Sequence, residues 1–353
     1  MSGLSILIPD GDSPFAPHVL ACLARIRGVQ VHLISKKKNP LTRFSRKTYS
    51  FHLLSEGQTL LQGVAEVCAR QKIDLCIPVD TDGIYYFAEN REALRHLVAL
   101  SVIDSAQNFR RVWDKGLLAD FLFRQGLPHP LTATTRAAFD SLQFPVLIKP
   151  RLWGGGVGIE KFAERGMLLK KIEAEPGFFD EYVVQSFLEG SDIDCSVLCK
   201  DGEILAYTIQ RGLFANIEAG FQAADAIEFI HDADVLQVTS KLMRALCWNG
   251  VAHVDLRRGI DGRVVVIEIN PRFWGSLEGS LHAGVNFPQL LLTLSLGESF
   301  QQPEFSNLRY AGAFSTIKRK LKRKPSVSLL RETNLPNYFY DPLPMLARLV
   351  GFE

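Results

Sequence analysis

Several features that commonly announce a function are missing from this chain. There is no G-x-G-x-x-G and no G-x-x-x-x-G-K-[ST], so neither the dinucleotide fingerprint nor the phosphate-binding P-loop is present. No excess of charge of one sign occurs: 40 Lys and Arg stand against 38 Asp and Glu, a formal net charge of +2. That balance gives no reason to expect nucleic acid as a partner. No apolar run approaches the ~20 residues of a membrane-spanning helix. The opening MSGLSILIPDGDSPF lacks the basic segment, apolar run and cleavage site of a secretory signal, so a cytoplasmic location is expected. Cysteines number six and are scattered; Cys195 and Cys199 lack zinc-ribbon spacing and a second pair, which predicts buried free thiols in a reducing compartment. The eight histidines show no metal-ligand spacing, and no Ser-His-Asp or Cys-His arrangement stands out.

At 353 residues, with 47% hydrophobic and 22% charged residues, the chain is an ordinary globular sequence long enough for two or three packed units. Up to about residue 105, short apolar strands (5–9, 29–34, 73–79) alternate with helical patterns (17–26, 60–71, 91–98). This predicts an open, mostly parallel sheet with helices on both faces. The turns Asp10-Gly11-Asp12-Ser13 and Asp80-Thr81-Asp82-Gly83 then fall at the carboxyl ends of strands, where such sheets bind ligands.

The style then changes to α+β. A helix is expected over 114–125 and a strand over 144–150 that ends at Lys149. Trp153 and the glycines Gly154, Gly155, Gly156 and Gly158 follow it. Glycines let backbone N–H groups approach phosphate oxygens closely, and a neighbouring lysine adds a point charge. A strand over 182–187 runs into Gln185-Ser186-Phe187-Leu188-Glu189-Gly190, whose backbone groups could read an adenine edge. The most informative stretch is VAHVDLRRGIDGRVVVIEINPR, residues 251–272. Asp261-Gly262 signals a two-residue hairpin turn. Centring the hairpin there sets Asp255 opposite Glu268 and His253 opposite Asn270, all on one face. Carboxylates directly opposite each other repel. A hard cation removes that penalty, and two carboxylates with an amide oxygen suit Mg²⁺, with Mn²⁺ as an alternative. His253 shares the face, and imidazole suits Mg²⁺ poorly, so a hydrogen-bonded core histidine is expected. The basic run IKRKLKRKP near residue 320 reads as a solvated helix end.

Helix Lys115, strand Lys149 with its glycine loop, the 185–190 segment, Asp192, and then Asp255, Glu268, Asn270 and Arg272 follow one another in an order that resembles the ATP-grasp superfamily. The likeness is most specific at VIEINPRFWGS, which is similar to the metal segment of carboxylate–amine ligases and of the carbamoyl-phosphate synthase large chain. It implies an N-terminal open parallel α/β domain (1–105) followed by a two-lobed grasp domain. The small lobe would cover 106–190, the large lobe with the metal site 191–303, and a basic helical tail 304–353. It also implies that Lys115 and Lys149 contact ATP phosphates and that Gln185 with the Phe187 and Leu188 backbone contacts adenine. Asp192 would hold the ribose, Asp255, Glu268 and Asn270 would bind Mg²⁺, and Arg272 would stabilise the transferred phosphoryl group. Gln185 stands where glutamate is common in the family. The implied activity is phosphorylation of a carboxylate and its coupling to an amine, both small molecules, with release of ADP and phosphate. A homodimer is compatible with this. Another ATP-grasp chemistry, such as carboxyl or carbamoyl phosphate formation, and a non-catalytic nucleotide-binding role stay open.

Overall fold

The computed structural model describes residues 3–213, 224 and 226–352. Three sheets follow one another along the chain. The first holds β1 (Leu4–Ile8), β2 (Val29–Ser35), β3 (Thr48–Leu53), β4 (Leu75–Cys76) and β5 (Ala99–Leu100), all parallel, in the order β3-β2-β1-β4-β5. β4 is shorter than the 73–79 expected. Pro78 has no N–H to give a ladder, and the Val79 and Asp80 N–H groups are taken by the Asp10 carboxylate at 2.8–3.1 Å. Asp10 thereby clips the end of β1 to the end of β4. Asp80 then accepts from Thr81 N at 2.7 Å and starts the helix Thr81–Glu89.

The small lobe is an antiparallel sheet of β6 (Thr132–Ala133), β7 (Val146–Pro150), β8 (Glu160–Phe162) and β9 (Tyr182–Ser186), in the order β6-β9-β7-β8. It has its own apolar core, built around Phe139, Val146, Ile148, Leu168, Phe178 and Val184. The large lobe holds β10 (Gly190–Lys200), β11 (Glu203–Gly212), β12 (Ala226–Phe229), β13 (Gly250–Gly259), β14 (Val264–Asn270) and β15 (Arg309–Ala311), in the order β14-β13-β10-β11-β12-β15. β15 falls inside the stretch expected as a tail; its three residues carry no period that could announce a strand. The large lobe and the first domain share one continuous core, which runs from Ile6 and Val19 to Trp274 and Phe287.

The β13–β14 hairpin keeps the expected pairs Asp255↔Glu268 and His253↔Asn270, by a different route. The turn has three residues, Ile260, Asp261 and Gly262, closed by Gly259 N to Arg263 O at 2.9 Å; Gly262 alone takes a positive φ, +81°. This corrects the two-residue turn, which needs both central residues left-handed. The shift is cancelled at a bulge: Leu256 pairs with Val266 and Asp255 with Glu268, leaving Ile267 as the extra residue. The bulge turns Glu268 and Asn270 onto the open face, while Val264 and Val266 stay buried.

The clip between β1 and β4 gives a stability prediction. Asp10→Ala leaves the Val79 and Asp80 N–H groups without their acceptor, and should cost on the order of 2–4 kcal/mol in denaturant unfolding. A loss under half a kcal/mol would remove the clip from the account of the fold.

Candidate active site

The site lies on two neighbouring rows of the large sheet. One row runs Gln210, Asp194, Asp255, Glu268 across β11, β10, β13 and β14; the next runs Thr208, Ser196, His253, Asn270. Gln210 Nε2 donates to Asp194 Oδ2 at 3.2 Å and Ser276 Oγ donates to Gln210 Oε1 at 2.9 Å. Asn270 Nδ2 donates to Asp255 Oδ2 at 3.1 Å and to Glu268 Oε1 at 3.3 Å. Lys115 Nζ lies 3.4 Å from Glu268 Oε2.

These contacts divide one negative charge unequally. Burial, then the Glu268 charge and that of Asp194, push the Asp255 carboxyl well above the usual range. Burial would also raise Glu268; the Lys115 ammonium, a hydrogen bond from Asp255 and the Lys149 ammonium outweigh it and hold Glu268 below its ordinary value. Burial pushes Asp194 up to about 7. The donor set fits a hard divalent cation: Asp194, Asp255 and Glu268 supply carboxylate oxygens, faced by the charges of Lys115, Lys149 and Arg272 and by the neutral Asn270 amide. A half-turn of the Asn270 amide would present its carbonyl oxygen to the carboxylates. His253 is the hydrogen-bonded histidine expected. Its Nδ1 lies 2.8 Å from Ser196 Oγ, its ring stacks on Trp274, and its Nε2 lies 3.3 Å from Asp255 Oδ1. Burial, reinforced by Arg272, lowers it to about 3, so it is neutral.

Lys115 opens the helix Lys115–Arg124, whose N-cap Asp114 accepts from Gly116 N and Leu117 N. The same carboxylate holds the Arg151 guanidinium through Nε at 3.0 Å and Nη2 at 2.9 Å, tying the glycine loop to this helix. Lys115 Nζ also donates to Trp153 O. Trp153 itself is exposed, and a Cβ added at Gly154 would stand 3.6 Å from Asn270 Oδ1, so the loop passes close to the Asn270 amide. Gly155 and Gly156 adopt φ +67° and +75°, which only glycine takes freely. A cavity of about 210 Å³ remains between Thr81, Trp113, Lys115, Trp153, Glu268 and Arg272.

Lys149 is buried on β7, and its Nζ donates to Gln185 Oε1 at 2.7 Å. Burial, with the Lys115 charge, lowers it to about 8 against the opposing pull of Glu268. Gln185 donates from Nε2 to Thr132 Oγ1 at 3.1 Å, so its side chain is a bracket for Lys149. The Phe187 N–H is already given to Pro145 O at 3.0 Å, which takes that donor away from an adenine. The Phe187 ring lies 3.5 Å from Lys161 Nζ. Leu188 lies between β9 and β10, outside both ladders. Asp192 is exposed and paired with Arg257. Arg272 is half-buried at the junction with the first domain. Its Nη2 donates to Asn270 Oδ1 at 3.0 Å, its Nη1 to Phe273 O at 2.7 Å, and its guanidinium lies 4.1 Å from the Phe15 ring centroid. Asp194, Gln210, Ser276 and Arg151 belong to the site and escaped the sequence reading. Asp194 was within reach, because it alternates with Asp192 on a strand that pairs with β13.

With this geometry in hand, three comparisons converge. Residues 178–314 match the family described as ATP-grasp in the biosynthetic pathway with Ter operon. D-alanine–D-alanine ligase of Neisseria meningitidis is 28% identical over 159 residues, 41% of this chain and 52% of that protein. The corresponding ligase of a Mycobacterium strain is 27% identical over 218 residues, 51% of this chain and 57% of that protein. The chain thus spans about half the length of the curated relatives it matches. Among solved structures, L-amino acid ligase of Bacillus licheniformis superposes with a TM-score of 0.63 at 18% identity, covering 84% of this chain and 74% of that one. N5-carboxyaminoimidazole synthetase of Staphylococcus aureus, solved with ADP, gives 0.68 at 12% identity, covering 91% and 86%. The fold is the ATP-grasp fold: a leading α/β domain followed by two α+β lobes. Among proteins of that fold, the chain is similar to the carboxylate–amine ligases.

The charge arrangement generates a test that needs no substrate. Lys115→Met should destabilise the protein by roughly 1–3 kcal/mol, the scale of a lost charged hydrogen bond. Millimolar Mg²⁺ should restore part of the loss, because a cation that binds the folded state stabilises it by mass action. Denaturant midpoints with and without MgCl₂ provide the check; a variant as stable as its parent contradicts the neutralising role of Lys115.

Proposed function

We propose that the protein is an ATP-dependent ligase that phosphorylates a carboxylate of one small molecule and couples it to an amine of another, releasing ADP and phosphate. The observation that carries this reading is the convergence of Asp255, Glu268 and Asn270 with Lys115, Lys149 and Arg272 around one cleft under a glycine loop. Phosphoryl transfer asks a protein for charge neutralisation and alignment, and this set supplies both without a protein nucleophile. Lys115 and Lys149 would hold phosphate oxygens, the N–H groups of residues 154–156 would cover them, and Leu188 and Gln185 would border the base. Asp192 is the candidate for the ribose hydroxyls. Asp255, Glu268 and Asn270, with Asp194 beside them, would hold Mg²⁺, or Mn²⁺, which on binding would neutralise phosphate charge. Arg272 can hold planar oxygens with two parallel hydrogen bonds, which lysine cannot reproduce. The carboxylate substrate would enter from the side of the first domain, where Phe15 and Asp80 approach the guanidinium. No helix among the described residues is long and apolar enough to cross a membrane.

Glu268→Gln should keep the fold and abolish ADP release over a panel of amino acids and other carboxylates with amines; unchanged release from a well-folded variant would sink the assignment. Arg272→Lys should leave ATP affinity within a small factor by calorimetry. Turnover should fall roughly 10²-fold or more, the scale seen when a donor to developing charge is removed. Near-normal turnover at saturating substrates would make Arg272 structural.

A further inference from the structure

A second cavity, about 650 Å³ and three times the size of the first, lies on the other side of the Ser13–Phe15 turn. Its floor is the carboxyl end of β1 and β2, with Gly11, Asp12 and Lys37, and the helix Ala16–Leu23 with Pro17, His18 and Leu20. Its roof is the segment after Phe314: helix Leu335–Tyr340 supplies Asn337 and Tyr338, and helix Leu343–Leu349 supplies Met345 and Arg348. The roof is bolted down. The buried Glu278 carboxylate receives His18 Nδ1 at 2.7 Å on one oxygen and Asn337 Nδ2 on the other. Asp341 receives the Ser45 hydroxyl and Arg46 N, and the Phe44 and Phe352 rings lie 5.2 Å apart.

Its charges are unevenly satisfied. Glu278 and Asp341 are fully engaged with donors, and Asp12 accepts from Lys36 N at 3.4 Å. Lys37 and Arg348 line the same space with no side-chain ion pair or hydrogen bond among the described residues; Lys47 beside them forms no close ion pair either, though its charge helps hold Glu278 ionised. The lining beside them is apolar, with Leu20, Ala21 and Leu41 on the floor side and Pro344 and Met345 on the roof. The cavity also abuts the candidate active site. Ser13, which lines it, donates to Asp80 Oδ2 at 2.9 Å; Thr81, next to Asp80, lines the first cavity; and Phe15 lies against Arg272.

We propose that this cavity binds one of the two co-substrates: an anionic molecule with an apolar body, its charged group held by Lys37, Lys47 and Arg348 and its body against the apolar lining of Leu20 and Met345. Calling it a co-substrate rests on the ligase reading; the binding chemistry does not. The segment over the cavity is then a specificity element, because Asn337, Tyr338, Met345 and Arg348 set the size and charge of what fits.

The test uses three probes with one apolar body: dansyl-L-glutamate, neutral dansylamide and cationic dansylcadaverine, titrated by fluorescence into the full chain with saturating MgADP present. The nucleotide keeps the anion from reporting on Lys115 and Lys149. The glutamate conjugate should bind at least about tenfold tighter than the other two, the scale of one charge-assisted contact. Lys47→Gln combined with Arg348→Gln should erase that preference, with dansylamide binding retained as evidence that the cavity still folds. Equal binding of all three probes, an unchanged preference in the double variant, or loss of anion binding whenever MgADP is present, compared with a titration without it, would each overturn the proposal. If anion selection holds and Glu268→Gln still releases ADP normally, the ligase reading fails and the cavity stands. If selection is absent while Glu268→Gln abolishes turnover, the cavity proposal fails alone.

Discussion

Two carboxylates facing each other across a β-ladder cannot both stay ionised at ordinary cost, and the candidate site is arranged around that conflict. Asp255 and Glu268 are held opposed by a hairpin whose other face is buried in the core. Their repulsion is relieved in the free protein by the Lys115 ammonium and by the Asn270 amide. Lys115 reaches the pair because Asp114 caps its helix, and Asp114 also holds Arg151 at the root of the glycine loop. The same few charges therefore decide where the helix begins, where the loop lies and how empty of metal the site can be while staying folded.

The first domain belongs to this arrangement. Its core is continuous with that of the large lobe, so the strand-end loops cannot drift from Arg272 without breaking apolar contacts. Asp10 fixes those loops to each other, and Ser13 fixes them to Asp80. The leading domain thus presents a wall to the cleft that is fixed by these bonds, and the second cavity backs onto the same wall.

Much of this could be read in the sequence, for identifiable reasons. The alternation of apolar strands and helices gave the parallel sheet because burial on both faces leaves a strong pattern. The opposition of Asp255 and Glu268 was legible because strand register has only two side-chain phases. The turn was misread, yet the pairing survived, since the third turn residue and the Ile267 bulge cancel. Neither could be seen beforehand, because Asp-Gly serves turns of either length and a bulge has no residue code in a run of Val and Ile. Gln210 is hidden from the sequence because it reaches the site only through strand neighbours distant in sequence, whereas Asp194 shares a strand face with Asp192 and was legible by alternation. The engagement of Phe187 N–H with Pro145 depends on how two strands end, which no motif records. The roof after Phe314 returns to the first domain through short helices with weak periodicity, and this hid its partner.

The small lobe keeps a core of its own, and the cleft is bordered on that side by polar links such as Arg151 with Asp114 and Lys115 with the Trp153 carbonyl. A seam of this kind separates two packing units. Phe139, Val146, Leu168 and Phe178 pack the lobe that carries Lys149 apart from the core under the carboxylates, so the two sides meet through charge, Lys149 with Glu268, rather than through shared apolar packing. The fold therefore lets one half change its packing while the other keeps its own core.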